Sequence, residues 1–179
     1  HELIVQGQIA NIYLITAHVD NMSQTPSSTA PGADDNASGT AGVMAAASIL
    51  SQHSFTCTLR YIVFTGEEQG LYGSQAYALA AQNRGDPIMG VLNLDMLGYN
   101  TLNSRATIEI DIRPGTNGDK DRPLSNMISN VIQAYQLPLI PNVVLDGSDG
   151  SDHFSFWEQG YPAVLIIEDW DDYSPYYHK

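Results

Sequence analysis

Four short apolar runs, and the polar residues that end them, set the pattern of this sequence. Ile12 to Ala17 reads IYLITA and stops at His18, and Leu59 to Thr65 reads LRYIVFT and stops at Gly66-Glu67-Glu68. Apolar runs of that length predict strands buried on both faces. Between them, Asp34-Asp35-Asn36 precedes Ala37 to Leu50, a stretch of small and aliphatic residues long enough for a helix with an acidic or amide cap. Together they form a β-α-β unit. A second helix is predicted over Leu71 to Gln82, ended by Asn83-Arg84-Gly85-Asp86-Pro87, and Ile88 to Leu94 follows as a strand that stops at Asp95.

Thr107 to Ile112 (TIEIDI) alternates apolar and acidic residues, as a strand with one wet face does. Pro123 to Tyr135 opens with proline at a helix start and continues with helical spacing. Phe154 to Glu158 reads as a short helix, and Ala163 to Ile167 as the last buried strand before an acidic, tyrosine-rich tail. Asn21 to Pro31 is a polar loop. Strands alternating with helices predict an α/β fold, a three-layer α/β/α sandwich around a mostly parallel, mixed central sheet. In such sheets the ligand crevice lies beyond the carboxyl ends of the strands, which is where His18, Glu67, Glu68 and Asp95 fall.

Composition narrows the partners. At 179 residues, 43% hydrophobic and 15% charged, the chain has the balance of one packed domain, expected over residues 1–179. Seven Lys plus Arg against twenty Asp plus Glu give a formal charge of −13, which disfavours nucleic acid and anionic lipid and favours cations. The apolar runs are far shorter than the roughly 18 residues of a membrane span. Cys57 is the single cysteine, so no internal disulfide forms, and its apolar surroundings predict a small core residue. The chain begins at His1, without Met or a signal-like segment, and a domain trimmed at both ends is expected.

The candidate chemistry lies in six segments: His18-Val19-Asp20, residues 32–39 (GADDNASG), residues 66–70 (GEEQG), Asn93-Leu94-Asp95-Met96, Ser151-Asp152-His153 and Tyr177-His178. Taken singly, each has a structural competitor. An HxD after a strand is more often a cap or surface feature than a ligand, Asp34 and Asp35 suit a helix start, and adjacent glutamates suit a solvated turn. As a set they supply the imidazoles and carboxylates from several segments that two neighbouring divalent metals require. His1 and His53 are expected to be solvent-exposed, and His153 to make a supporting hydrogen bond and not to be a ligand.

In this order the segments resemble the M28 family of zinc aminopeptidases, over the span from Ile12 to His178. The resemblance implies two Zn2+ ions, with His18, Asp35, Glu68, Asp95 and His178 as ligands, Asp35 bridging and Asp20 orienting His18. It implies Glu67 as general base and peptides with a free N-terminus as substrates. Together with the low lysine content it implies a secreted or extracytoplasmic protein. Met96, Ile167, Trp170 and Tyr177 suit an apolar pocket for a leucine-like or aromatic side chain, or equally core and tail packing. Two departures stand out. Some relatives place a tyrosine shortly before the SDH motif, where this chain reads Asp146-Gly147-Ser148-Asp149-Gly150, and the family continues into another helix where this chain stops at Lys179. The alternatives are a related cocatalytic M20-type carboxypeptidase, a glutaminyl cyclase relative, and a metal-free receptor-like ectodomain of the same fold.

Overall fold

A computed structural model describes residues 1–101 and 106–179. Its strands are β1 (Glu2–Val5), β2 (Ile12–His18), β3 (Thr58–Phe64), β4 (Ile88–Leu94), β5 (Ala106–Asp111), β6 (Leu139–Val144) and β7 (Ala163–Glu168). They form one sheet in the order β1-β3-β2-β4-β7-β5-β6. β3, β2, β4 and β7 run parallel through its centre, β5 pairs antiparallel with β7 and parallel with β6, and β1 pairs antiparallel with β3. The helices are α1 (Ala37–Leu50), α2 (Tyr72–Arg84), α3 (Arg122–Ala134) and α4 (His153–Glu158).

Alternation along the central strands builds a core on each face of the sheet. Ile12 and Leu14 of β2 pack with Ile62 and Phe64 of β3 against Ala78 and Ala81 of α2 and Phe156 and Trp157 of α4. The intervening Ala17 packs with Leu59 and Tyr61 against Val43 of α1, and Cys57 packs at the margin of that cluster. Full burial of each large apolar side chain contributes about 1.5–3 kcal/mol relative to exposure. The predicted three-layer α/β/α sandwich is therefore what forms. Among the described residues no helix is long and apolar enough to cross a membrane.

Two strands escape the sequence pattern for identifiable reasons. β1 is four residues long, lies at the sheet edge and leaves Leu3 and Ile4 half exposed, so no alternation marks it. β6 contains Pro141, a residue that argues against a strand wherever both neighbours are paired; β6 is the opposite edge and pairs with β5 alone. Helix ends follow expectation more closely. Asn36 caps α1, proline occupies the first turn of α3, and Gly85, at φ +68°, closes α2 by donating to the carbonyls of Ala81 and Gln82.

His153 belongs to this packing. It is fully buried, sits edge-on to Trp157 at 4.4 Å, and donates from Nε2 to the Ser148 carbonyl at 2.8 Å. Burial pulls its pKa down from 6.5 to about 4, only partly offset by the Ser148 bond and the charges of Asp121 and Asp149. The unfolded chain thus takes up a proton that the folded ring refuses. This contribution to stability is intact above about pH 6.5 and is lost as the pH falls toward 4, by about 3 kcal/mol in all. We expect His153→Phe to have a flatter dependence of Tm on pH between 6.5 and 4.5 than the unsubstituted protein, measured by thermal denaturation; parallel curves would refute this.

Candidate metal centre

The central strands deliver polar residues at their carboxyl ends. His18 is the last residue of β2, Glu67 and Glu68 follow β3 through a turn at Gly66 (φ +78°), and Asp95 follows β4. Asp35 comes from the loop that leads into α1, and His178 from the segment after β7. These side chains meet. His18 Nε2 lies 3.3 Å from Asp35 Oδ1, 3.3 Å from Asp95 Oδ1 and 3.9 Å from Glu67 Oε2. His178 Nε2 lies 2.9 Å from Asp35 Oδ2 and 3.2 Å from Glu68 Oε2. The two oxygens of Asp35 therefore face different histidines.

Hydrogen bonds fix the approach of each group. Asn36, almost wholly buried, accepts from Gly39 N at 2.9 Å and Met96 N at 3.2 Å, and donates to the Leu94 carbonyl at 2.9 Å. It ties the start of α1 to the end of β4, and so Asp35 to Asp95. A Cβ on residue 39 would lie 2.3 Å from Asn36 Oδ1 and 2.4 Å from the Leu94 carbonyl, so only glycine fits there. Thr40 donates to the His18 carbonyl at 2.7 Å. A buried relay runs from Thr16, which donates to Asn93 at 2.7 Å, through Asn93 to Ser151 at 2.9 Å, and from Ser151 Oγ to Asp95 Oδ2 at 2.6 Å. It leaves Asp95 Oδ1 turned toward His18.

Asp20 faces both His18 and the glutamate pair. Its backbone carbonyl, not its carboxylate, is the close contact of His18 Nδ1, at 3.0 Å against 3.8 Å. The carboxylate accepts instead from the backbone N–H groups of Glu67 (3.3 Å) and Glu68 (3.2 Å), setting the direction of that pair. Glu68 also accepts from Met22 N at 3.1 Å. Glu168, at the end of β7, accepts from Tyr99 N at 2.8 Å and Ser174 N at 3.0 Å, joining the segment that carries His178 to the exit of β4.

The crowding shows in the titration of the groups. Burial works against protonation of His18, yet its contacts with Asp35 and Asp95 and the charges of Asp95 and Glu67 override it and push the pKa up to about 12. Burial raises Glu67 to about 8; His18 opposes the rise, and Asp95, Asp152 and Glu68 add to it. Such a cluster demands positive charge. The donor atoms of His18, Asp35 and Glu68 lie within 4.8 Å of one another, as do those of His18, Glu67 and Asp95. Imidazole nitrogen and carboxylate oxygen from separate segments are the donors that zinc takes, so the residues present fit that metal. Glu67 belongs to the second of these groups but stands farther back, its Oε2 3.9 Å from His18 Nε2 where Asp35 and Asp95 are at 3.3 Å.

Sequence reasoning missed Thr16, and it placed Asn93 and Ser151 in candidate segments and Asn36 at a helix cap without reading them as supports of the site, because a single hydroxyl or amide residue does not announce its partner. His153 makes a supporting hydrogen bond to the Ser148 loop. Met96, Ile167, Trp170 and Tyr177 do line the cavity of about 360 Å³ beside the cluster, and Glu109, Asp111 and Asp146 line it with them.

A model described as peptidase family M28 matches residues 3–179. Leucine aminopeptidase 1 of Trichophyton equinum is 31% identical over 92% of this chain and 46% of its own length. A protein of Pyrenophora tritici-repentis named as a probable zinc metalloprotease is 29% identical over 89% of the chain and 39% of its own length. The crystal structure of Legionella pneumophila LapA aminopeptidase superposes with a TM-score of 0.82 at 27% identity, covering 99% of this chain and 46% of that one. The chain thus spans less than half the length of these relatives.

The bonds around Asn36 generate a stability prediction. Asn36→Ala removes a helix cap and leaves the Met96 N–H unpaired in a buried position, at an expected cost of about 2–4 kcal/mol. Urea denaturation measures it; a loss below about 1 kcal/mol would show that Asn36 does not hold α1 to β4.

Proposed function

The chain belongs to peptidase family M28, and from that membership we propose that it is a dinuclear zinc aminopeptidase that removes the first residue of peptides with a free N-terminus. The observation that carries this reading is Asp35, whose two oxygens face His18 and His178. His18 and Asp95 would hold one ion, His178 and Glu68 the other, and Asp35 both. Zinc supplies Lewis acidity when bound, polarising the scissile carbonyl and making water acidic enough to ionise near neutral pH.

The protein's own groups do the rest. Glu67 takes the proton of the attacking water as the oxygen–carbon bond forms, then returns it to the leaving nitrogen as the carbon–nitrogen bond breaks. Asp20 holds the backbone of Glu67 and Glu68, which would leave Glu67 free to act as base while Glu68 would serve as a metal ligand. Glu68 and Asp95 attract the α-ammonium of the substrate, which restricts cleavage to a free N-terminus. The relay from Thr16 through Asn93 and Ser151 keeps Asp95 in position.

Paired substitutions separate base from ligand. Glu67→Gln is expected to keep two zinc ions per chain while kcat falls by about 10² to 10⁴. Glu68→Gln is expected to lose zinc, with activity partly restored by excess metal. Elemental analysis beside turnover decides: zinc lost from the first variant and kept by the second reverses the two roles, and near-full turnover in a zinc-loaded Glu67→Gln removes the mechanism.

Blocking the substrate tests the direction of attack. An N-acetylated dipeptide amide is expected to resist cleavage under conditions where the free amine is hydrolysed. Cleavage of an acetylated dipeptide that bears a free carboxylate would point to the carboxypeptidase alternative.

A further inference from the structure

The cavity beside the candidate metal centre is more acidic than two metal ions require. Asp35, Glu67, Glu68 and Asp95 line it, and two dications would offset those four carboxylates. Glu109, Asp111 and Asp146 line it as well, and among the described residues no lysine or arginine does. The described arginines pair elsewhere: Arg60 and Arg84 with Asp86, Arg113 with Asp121, and Arg122 with Asp119.

The sheet explains how these carboxylates reach the cavity. In β5, Glu109 and Asp111 share one face while Ile110 turns into the core. Across the ladders Glu109 stands opposite Ile167, and Asp111 stands opposite Leu165 on one side and Val144 on the other. All five line the cavity. The surface is thus an apolar floor with carboxylates set into it.

Asp111 marks the point most clearly. It is only 5% exposed. Its Oδ2 accepts from Ser148 N at 2.8 Å, and its Oδ1 has no hydrogen-bond partner. Burial raises its pKa, with only the Ser148 bond opposing. A buried carboxylate oxygen without a partner is costly unless a ligand meets it. Glu109 accepts one long bond, 3.3 Å, from Asn142.

We infer that this cavity receives the side chain of the substrate's N-terminal residue and selects a cationic one, lysine or arginine, over the leucine that names some relatives. The aliphatic stem lies on Leu165, Ile167 and Val144, and the charged head meets Asp111 and Glu109, with Asp146 at the rim. The inference rests on the aminopeptidase reading and sharpens it.

Norleucine is the control, because it keeps the stem of lysine and lacks the charge. With zinc-loaded protein and aminoacyl-7-amido-4-methylcoumarin substrates, kcat/KM for lysine is expected to exceed that for norleucine about ten- to hundredfold. Glu109→Gln and Asp111→Asn should each lower that ratio about tenfold, with cooperative thermal unfolding of each variant showing that it is folded. Binding gives a second readout: the Glu67→Gln protein should bind free lysine about tenfold or more tightly than norleucine by calorimetry. Norleucine or leucine cleaved as well as lysine, or a ratio unmoved in both variants, overturns the selectivity and leaves the aminopeptidase reading standing. Hydrolysis of none of the substrates overturns both.

Discussion

Like-charged carboxylates held within a few ångströms of one another in a largely buried site repel strongly, and the surroundings of this centre answer that repulsion. The cluster sits where parallel strands end, so backbone geometry alone brings His18, the Glu67-Glu68 pair and Asp95 to one edge. Holding them there takes further bonds. Asn36 clamps the loop of Asp35 to the exit of β4, Asp20 clamps the glutamate pair, and Ser151 takes one oxygen of Asp95. The contacts with Asp35 and Asp95 that raise the pKa of His18 against its burial show the same preference of the cluster for a cation. Divalent metal and proton compete for the same field, which is why metal binding and stability are coupled in such sites.

The sequence made the fold legible wherever an element is long, buried and regularly patterned. The central strands, the four helices and the cap at Asn36 could be placed within a few residues. β1 and β6 could not, since an edge strand lacks the two-sided burial that produces an apolar run, and Pro141 signals a break that only an edge forgives. The cluster was legible because its members fall at strand ends in a recognisable order. Its supports were not, because a threonine, an asparagine and a serine far apart in the chain become a relay only after three segments have packed.

β5 shows the boundary between the two. Its alternation of apolar and acidic residues announces two different faces, and the acidic one is largely enclosed, with Asp111 buried. Whether that face meets bulk water or a cavity depends on β7, β6 and the Ser148 loop, none of which is contained in six residues. The apolar candidates Met96, Ile167, Trp170 and Tyr177 supply only part of the lining of the space they border, and reading them alone suggests a leucine pocket. Glu109 and Asp111, set among them, add charge to that lining.

The bridging of His18 and His178 by Asp35 has a temporal side. Those histidines lie near opposite ends of the sequence, and the segment that brings the second is anchored by Glu168 at the end of the last strand. Contacts between distant parts of a chain form late, since loop closure must precede them. A nascent chain that has laid down β2, β3 and β4 and the residue after them holds every member of the cluster except His178. The contacts of His178 with Asp35 and Glu68 wait for the segment after β7 to dock, so one side of the centre closes later than the other.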